Sequence, residues 1–201
     1  MGRLIKTKNV KLVVDEGETS TIDVHQGHHG DRILMLSAEV KELTVATIIS
    51  QMIALDNQDP TKPIQLIINT LGGSIDEMFA LYDTIKFVRS PIHTLGLGKI
   101  MSAGTLILAC GEKGKRLISP NSRLMFHAIS GGAVGNIFDV LNEIDEMKRQ
   151  QEQLNKCIIA ETKMSRKMFE QVLMLPKDIY MTPEMAIKFG FADRVVPSKS
   201  M

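Results

Sequence analysis

The segment from Gly98 to Gly111 reads GKIMSAGTLILACG, and it indicates how the rest of the chain folds. Small residues at its centre precede an apolar run from Thr105 to Cys110, which is typical of a short buried helix entered through a tight turn. Apolar segments of strand length lie before it at Ile92–Leu97 and after it at Arg123–Ala128. A strand, a buried helix and another strand in this order predict an α/β fold.

The same alternation extends toward the N-terminus. Short apolar runs at Ile33–Leu36 and Ile64–Ile68 predict two further strands. Apolar residues at helical spacing predict helices over Glu39–Leu55 and Ile75–Val88. Because a crossover helix joins each strand to the next, we expect stacked βα units with a largely parallel sheet.

A long helix dominates the C-terminal part of the pattern. Its apolar stripe runs over about Asn136–Lys163, with polar residues on the other sides, and we expect this helix to protrude and to pack against another subunit. Ser165 is the predicted cap of a shorter helix that follows. Thr182-Pro183 begins a last helix, with proline at the first helical position.

Length and composition limit the classes of protein that fit. The 201 residues include 24 Lys and Arg against 23 Asp and Glu, a net charge of +1 that argues against nucleic-acid or anionic-membrane partners. Apolar runs are too short for a membrane span, the N-terminus lacks a signal-peptide pattern, and the 2 cysteines form no CxxC pair. We expect a cytoplasmic protein with an N-terminal arm (1–31), one domain (32–196) and a short tail (197–201).

Ser102 has two interpretations. A serine at the start of a helix is most often an N-cap, whose oxygen accepts a hydrogen bond from an orphan amide. A serine between a strand and a buried helix can instead be a nucleophile, because the amide of Ala103 could then hold an oxyanion beside it. The spacing G-x-x-x-S-x-G differs from the G-x-S-x-G turn of α/β hydrolases, so that family is not supported.

Two further features lie where α/β sheets generally build their sites. His127 is at the end of a predicted strand, directly before a glycine-rich passage, and an imidazole there can serve as a general base. Gly72 and Gly73 separate a strand from a helix, and their bare amides can hold an oxyanion or pair with an extended peptide. A core histidine and a simple turn are the structural alternatives.

A carboxylate that orients the imidazole would complete such a site. Asp139 and Asp145 lie on the predicted long helix, where acidic residues are usually solvated, and the loop at Asp178 allows a buried side chain. The residues alone do not choose among these three.

No cofactor or metal is expected. His25, His28 and His29 lie in HQGHHG without carboxylate or cysteine partners at metal-binding spacing, so a solvated arm is favoured. The GEKGKR turn lacks the glycine and the hydroxyl residue of a phosphate-binding loop, which excludes nucleotide binding.

Five motifs then occur in one order between about Arg32 and Val196. They read RILML, IINTLGGSIDEMFALYDTIKFV, GKIMSAGTLILACGEKGKR, PNSRLMFHAISGG and KDIYMTPEMAIKFGFAD. In this combination the chain resembles the caseinolytic protease (ClpP) family, which has the ClpP/crotonase-like α/β fold. The resemblance implies a self-compartmentalising, ATP-dependent serine endopeptidase that hydrolyses unfolded polypeptides or peptides.

The resemblance also implies roles for single residues. By motif position, Ser102 matches the nucleophile, His127 the general base and Asp178 the orienting carboxylate. Gly72 and Ala103 match the two backbone donors of the oxyanion hole. Hydrolysis would then proceed through an acyl-enzyme.

Substrate and partners follow from the same resemblance. The residues that would flank an extended substrate are Gly73, Ser74, Ile75, Ser130 and Gly131. Family members form two stacked heptameric rings joined through the long helix, and a hexameric ATP-driven unfoldase feeds them. The arm of this chain lacks a recognisable axial-loop sequence, so an unfoldase partner is implied by the family alone.

The chain departs from the family pattern at three places. Thr70-Leu71 replaces the usual Ser-Pro, and Ala103 replaces a methionine; because both oxyanion donors are backbone amides, activity is expected to survive. Ile179 stands where many members have an arginine linked to contact between rings. A divergent or phage-encoded member fits these differences.

Three rival functions are compatible with the sequence. A crotonase-fold acyl-CoA enzyme shares the paired backbone amides but needs no Ser-His-Asp set. A Ser-Lys peptidase would use Lys99, and a ring subunit without catalysis would keep only the fold.

Overall fold

A seven-stranded sheet organises residues 32–196, the part of the chain that the computed structural model describes. The strands are β1 (Ile33–Leu36), β2 (Ile64–Thr70), β3 (Ile92–Met101), β4 (Arg116–Ile118), β5 (Arg123–Phe126), β6 (Ile179–Met181) and β7 (Arg194–Val195). The helices are α1 (Glu42–Gln58), α2 (Ile75–Phe87), α3 (Ala103–Ala109), α4 (Ile137–Glu161), α5 (Arg166–Val172) and α6 (Pro183–Phe189). The predicted arm, with its three histidines, and the predicted tail lie outside the described residues.

Strand β3 is the centre of the sheet and divides it into two branches. The main path runs β1-β2-β3-β4-β7, and every neighbouring pair in it is parallel. The last residues of β3 pair in parallel with β5 where its earlier residues pair with β4, and β5 in turn pairs antiparallel with β6. The predicted α/β class with a largely parallel sheet is confirmed.

The core lies between this sheet and the helices, and all six helices contribute buried side chains to it. Alternate residues of β2 face it, and Ile64, Leu66 and Ile68 are completely buried. Every residue of α3 is buried, as expected for the apolar run that forms it. Each large apolar side chain removed from water contributes about 1.5–3 kcal/mol, so this layer stabilises the elements that carry the site.

The start of helix α1 differs from the prediction for a physical reason. Helix α1 begins at Glu42 rather than Glu39, because Val40 is held in an extended bridge to Gly73. The Val40 amide donates to the Gly72 carbonyl at 2.8 Å, and its carbonyl accepts from the Ser74 amide at 2.8 Å. These bonds join the chain before α1 to the turn after β2.

Helix α4 has a buried end and an exposed end. It begins after Asn136, whose side chain forms a reciprocal capping box with Asp139. Its C-terminal half buries Leu154 and Ile158, whereas Phe138 is 73% exposed near its start. Among the described helices, none is long and apolar enough to cross a membrane.

Arg116 in β4 connects α3, the end of α4 and the residue before β7. It is 2% exposed, and its Nη1 donates to the carbonyls of Ala109 and Glu161 at 3.0 and 2.7 Å. Its Nε and Nη2 donate to the carboxylate of Asp193 at 3.0 and 2.6 Å. Burial would raise the pKa of Asp193, but hydrogen bonds from Arg116 and from the Gly114 amide more than offset this and hold the pKa at about 2.

The free energy of unfolding is therefore expected to decrease between about pH 4 and pH 2. The folded pKa of Asp193, about 2, lies below the ordinary value of an unfolded aspartate. The carboxylate thus stabilises the fold above that ordinary value, by about 2 kcal/mol, and this is lost as the pH falls through the folded pKa. Urea unfolding of the wild type and Asp193→Asn should give curves that converge as the pH decreases, whereas a constant difference would contradict this assignment.

Candidate active site

Ser102 occupies a strained junction between β3 and α3. Its φ of 50° and ψ of −120° are rare for a residue with a side chain, and such conformations cost about 1–3 kcal/mol. The junction is fixed by a hydrogen bond from the Ser102 amide to the Met125 carbonyl at 2.8 Å. The Thr105 amide and hydroxyl both donate to the Ser102 carbonyl, at 2.9 and 2.7 Å. Strain of this kind is typical of functional sites.

The Ser102 hydroxyl does not cap the helix that it precedes. Helices α2, α5 and α6 each follow a hydroxyl residue that caps them. The side chains of Ser74, Ser165 and Thr182 accept a hydrogen bond from a backbone amide of the first turn. Helix α3 has no such bond from Ser102. Its Oγ lies instead 2.9 Å from Nε2 of His127. The N-cap interpretation of Ser102 is therefore not supported, because its side chain accepts no hydrogen bond from the first turn of α3.

Sheet pairing brings His127 beside Ser102. Met101, the last residue of β3, pairs with Met125 of β5, and His127 directly follows the end of β5. The two side chains therefore leave neighbouring parallel strands at the same edge. The imidazole is 28% exposed, so it can contact both the serine and a bound substrate.

Asp178 lies on the other side of the same imidazole. It precedes β6, whose residue Ile179 pairs with Phe126, and this register places its carboxylate near His127. Its Oδ1 is 4.0 Å from His127 Nδ1, which is beyond hydrogen-bond distance. The carboxylate is 52% exposed and not buried, because β6 is an edge strand with β5 as its one neighbour in the described sheet.

The other two carboxylates considered from the sequence have different partners. Asp139 accepts from the Asn136 amide in the capping box of α4. Asp145 forms an exposed ion pair with Lys148 at 2.9 Å. Neither is found in contact with His127 among the described residues.

Gly72 and Gly73 follow β2 in conformations that favour glycine, and Gly72 passes close to the serine. Gly72 has a φ of 100°, and a Cβ there would lie 2.6 Å from the Ser102 Cβ. Gly73 has a φ of 151°, and a Cβ there would overlap the carbonyl of Val40. The Gly72 amide donates to the Thr70 hydroxyl at 3.1 Å. No acceptor for the Gly73 amide is found within 32–196.

A cleft of about 170 Å³ opens beside these residues. Its lining includes the two reactive side chains, one predicted oxyanion donor and four of the five residues predicted to flank a substrate: Ser102, His127, Ala103, Gly73, Ser74, Ile75 and Ser130. The fifth, Gly131, does not line it and faces Met147 instead. The buried apolar side chains of Met78, Phe126 and Leu154 also line it, together with Ala128 and Ile129.

Lys99 is not placed to act as the base of a Ser-Lys peptidase. It is exposed, and its backbone amide donates to the Asn69 side chain at 3.3 Å. No contact with Ser102 is found in the described part of the chain. Over the same residues, no group of three His, Cys, Asp or Glu side chains could hold a metal ion.

Residues 16–199, most of the chain, match the family model described as Clp protease. The chain belongs to the Clp protease family. The resemblance seen in the five motifs is thereby confirmed, and the chain is a serine peptidase of ClpP type in its general class. The match begins at residue 16, inside the predicted N-terminal arm.

Two residues of this Clp protease chain hold backbone amides beside or in the cleft, and the sequence analysis gives neither of them a role in the site. Thr70 accepts the Gly72 amide, and its only sequence signal is that it replaces the usual serine of the family. Gln151 accepts the Ile129 amide at 2.7 Å. Its signal is that it interrupts the apolar stripe of α4 with a polar side chain.

Proposed function

We propose that this chain is a serine endopeptidase in which Ser102 is the nucleophile and His127 the general base. The observation that carries this proposal is the 2.9 Å contact between the Ser102 Oγ and the His127 Nε2. It is supported by the strained φ of 50° at Ser102, which directs the hydroxyl away from the helix start. A serine used only as a cap would have no need of either feature.

The proposed reaction is acyl transfer to the serine followed by hydrolysis. His127 Nε2 accepts the hydroxyl proton while Oγ attacks the carbonyl carbon of the substrate peptide. The tetrahedral intermediate collapses, and the same nitrogen donates the proton to the leaving amine as the peptide C–N bond breaks. A water molecule, deprotonated in turn by His127, then releases the acyl group from Ser102.

The proposed oxyanion donors are the amides of Ala103 and Gly73. Ala103 is the first residue of α3, so its amide has no acceptor within the helix. Gly73 replaces Gly72 in this role, because the Gly72 amide donates to Thr70 and Gly73 lines the cleft. Removing one such donor typically lowers the rate by about 10²–10³-fold.

Asp178 is proposed to orient His127 rather than to accept its proton. Its carboxylate would fix the tautomer with hydrogen on Nδ1 and stabilise the imidazolium that forms. The present separation of 4.0 Å requires a small approach of the two side chains before this hydrogen bond forms. The exposed, edge-strand position of Asp178 leaves room for that movement.

The proposed substrate is an extended, unfolded polypeptide. The backbone at Gly73–Ile75 and Ser130 lines the cleft and can pair with a substrate as an added strand, which selects little among side chains. The floor of the cleft, made by Met78, Phe126 and Leu154, is apolar and buried. An apolar residue before the cleaved bond therefore fits best.

The proposed assembly is two stacked heptameric rings in the cytoplasm, fed by a hexameric ATPase unfoldase, as in the family. Its physical support in this chain is the apolar surface on the first half of α4. Four side chains there are 39–73% exposed: Ile137, Phe138, Leu141 and Ile144. An apolar face of this size on one helix is typical of a subunit contact.

A fluorophosphonate probe tests the proposed chemistry directly. We expect one covalent adduct per chain, located at Ser102 by mass spectrometry of proteolytic peptides, because only an activated serine reacts readily with such probes. A non-catalytic ring subunit would assemble to the same particle mass without labelling. An acyl-CoA enzyme would turn over a CoA thioester without labelling, and either result would contradict the proposal.

A further inference from the structure

Gln151 connects α4 to the loop that follows the base of the proposed site. The side-chain Oε1 of Gln151 accepts a hydrogen bond from the Ile129 amide at 2.7 Å. Its Nε2 donates to Oδ1 of Asn155, also at 2.7 Å, and Asn155 is 8% exposed. The glutamine amide thus has a partner on each side, one on the loop and one inside the helix layer.

The Ile129 side chain packs partly buried against the core, but the backbone of this loop has few hydrogen bonds. The ladder between β5 and β6 ends at Phe126, so His127 is the first residue beyond regular pairing. For residues 129–131, no hydrogen bond other than that to Gln151 is found within the described chain. The position of the imidazole relative to Ser102 therefore depends on how this short segment is held.

The adjacent residue of α4 reaches the opposite wall of the cleft. Gln150 Nε2 donates to Asp76 Oδ1 at 3.2 Å, and Asp76 lies in the first turn of α2, next to Ser74 and Ile75. One turn further along α4, Leu154 lines the cleft itself. This part of α4 is thus in contact with both walls and the floor of the site.

We propose that Gln151 is a positioning residue, which holds His127 in register with Ser102 through the Ile129 amide. This inference rests on the proposed function. This role explains why residue 151 is a glutamine. It lies in the apolar stripe of α4, between Met147 and Leu154, where packing alone would favour an apolar side chain. An amide is required there to accept from the loop and donate to Asn155 at the same time.

The test compares Gln151→Leu with Gln151→Glu in the full chain. Leucine keeps most of the volume and removes both hydrogen bonds, whereas glutamate keeps the acceptor for the Ile129 amide. We expect kcat on an apolar peptide and the rate of Ser102 labelling to fall about tenfold or more in Gln151→Leu, with KM changed less than about threefold. Gln151→Glu should stay within about threefold of the wild type, because Asn155 can turn its amide to donate.

Gln153→Leu is the matched control, because Gln153 lies on the exposed side of the same helix. It should leave labelling, kcat and particle mass unchanged. Wild-type labelling rates in Gln151→Leu would overturn the inference. Equal losses in Gln151→Leu and Gln151→Glu would also overturn it, since the acceptor would then not be what matters.

Amide hydrogen exchange at Ile129 separates this inference from the proposed function. Protection at Ile129 should be present in the wild type and Gln151→Glu and lost in Gln151→Leu. Unchanged protection in Gln151→Leu would overturn the positioning role even if Ser102 is labelled. Absence of labelling in the wild type, with the exchange pattern as expected, would instead remove the proposed chemistry while leaving the contact established.

Discussion

Replacing Ser102 by alanine is expected to lower peptide hydrolysis by about 10⁴- to 10⁶-fold, the range typical of lost triad nucleophiles. The loss should be chemical rather than structural, because the Ser102 hydroxyl makes no cap and its bond to His127 is replaceable by water. The backbone bonds that fix the junction, to Met125 and from Thr105, do not involve the side chain that is removed. Hydrolysis of a fluorogenic apolar peptide, with unfolding followed in parallel, measures both effects.

Ser50→Ala is the matched control for this substitution. Ser50 is exposed on α1, and its hydroxyl donates to a carbonyl of the same helix at 3.0 Å. It should change neither hydrolysis nor unfolding. If Ser102→Ala kept more than about one hundredth of the wild-type kcat/KM, another residue would have to be the nucleophile.

The order of the central elements could be predicted from the sequence because buried strands and amphipathic helices have different periods. The segment Ile33–Leu36 is a strand with the predicted bounds, α2 ends within a residue of its predicted end, and α6 begins at Pro183 as predicted. Gly190, with a φ of 89°, ends α6 as a left-handed cap. Such signals are local, so one sequence suffices to find them.

Elements that depend on distant partners were predicted less well. The strands β4 and β6 have three residues each, and they exist because β3 and β5 offer them an edge. The same holds for the end of β3, which extends to Met101 through a Gly98 with a φ of 65°. A turn-like composition, such as that of GEKGKR, does not reveal a strand formed by pairing.

The candidate site, too, could be predicted from the sequence only in part. The residue types at Ser102 and His127 indicate chemistry, but only the pairing of β3 with β5 brings the two side chains within 2.9 Å. The exposure of Asp178 depends on β6 being an edge strand, and the choice between Gly72 and Gly73 depends on the direction of one amide. None of these is a property of local sequence.

Gly72→Ala is expected to lower kcat by about 10²-fold or more, a loss comparable with removal of an oxyanion donor. A Cβ at this position would lie 2.6 Å from the Ser102 Cβ and 2.9 Å from the Met101 carbonyl oxygen, and neither neighbour is a flexible side-chain end. The φ of 100° adds backbone strain for any residue with a Cβ. Together these should also lower the free energy of unfolding by about 2–3 kcal/mol.

Gly132→Ala separates this effect from a general cost of removing glycine. A Cβ on Gly132 would meet nothing within 4 Å, so this variant should keep wild-type hydrolysis and stability. Urea unfolding identifies conditions in which Gly72→Ala is still folded, and fluorophosphonate labelling is then compared there. Because the added methyl displaces the serine itself, folded Gly72→Ala should be labelled at least about 10²-fold more slowly than Gly132→Ala. Equal labelling of the two folded variants would mean that the close approach of Gly72 to Ser102 does not control the nucleophile.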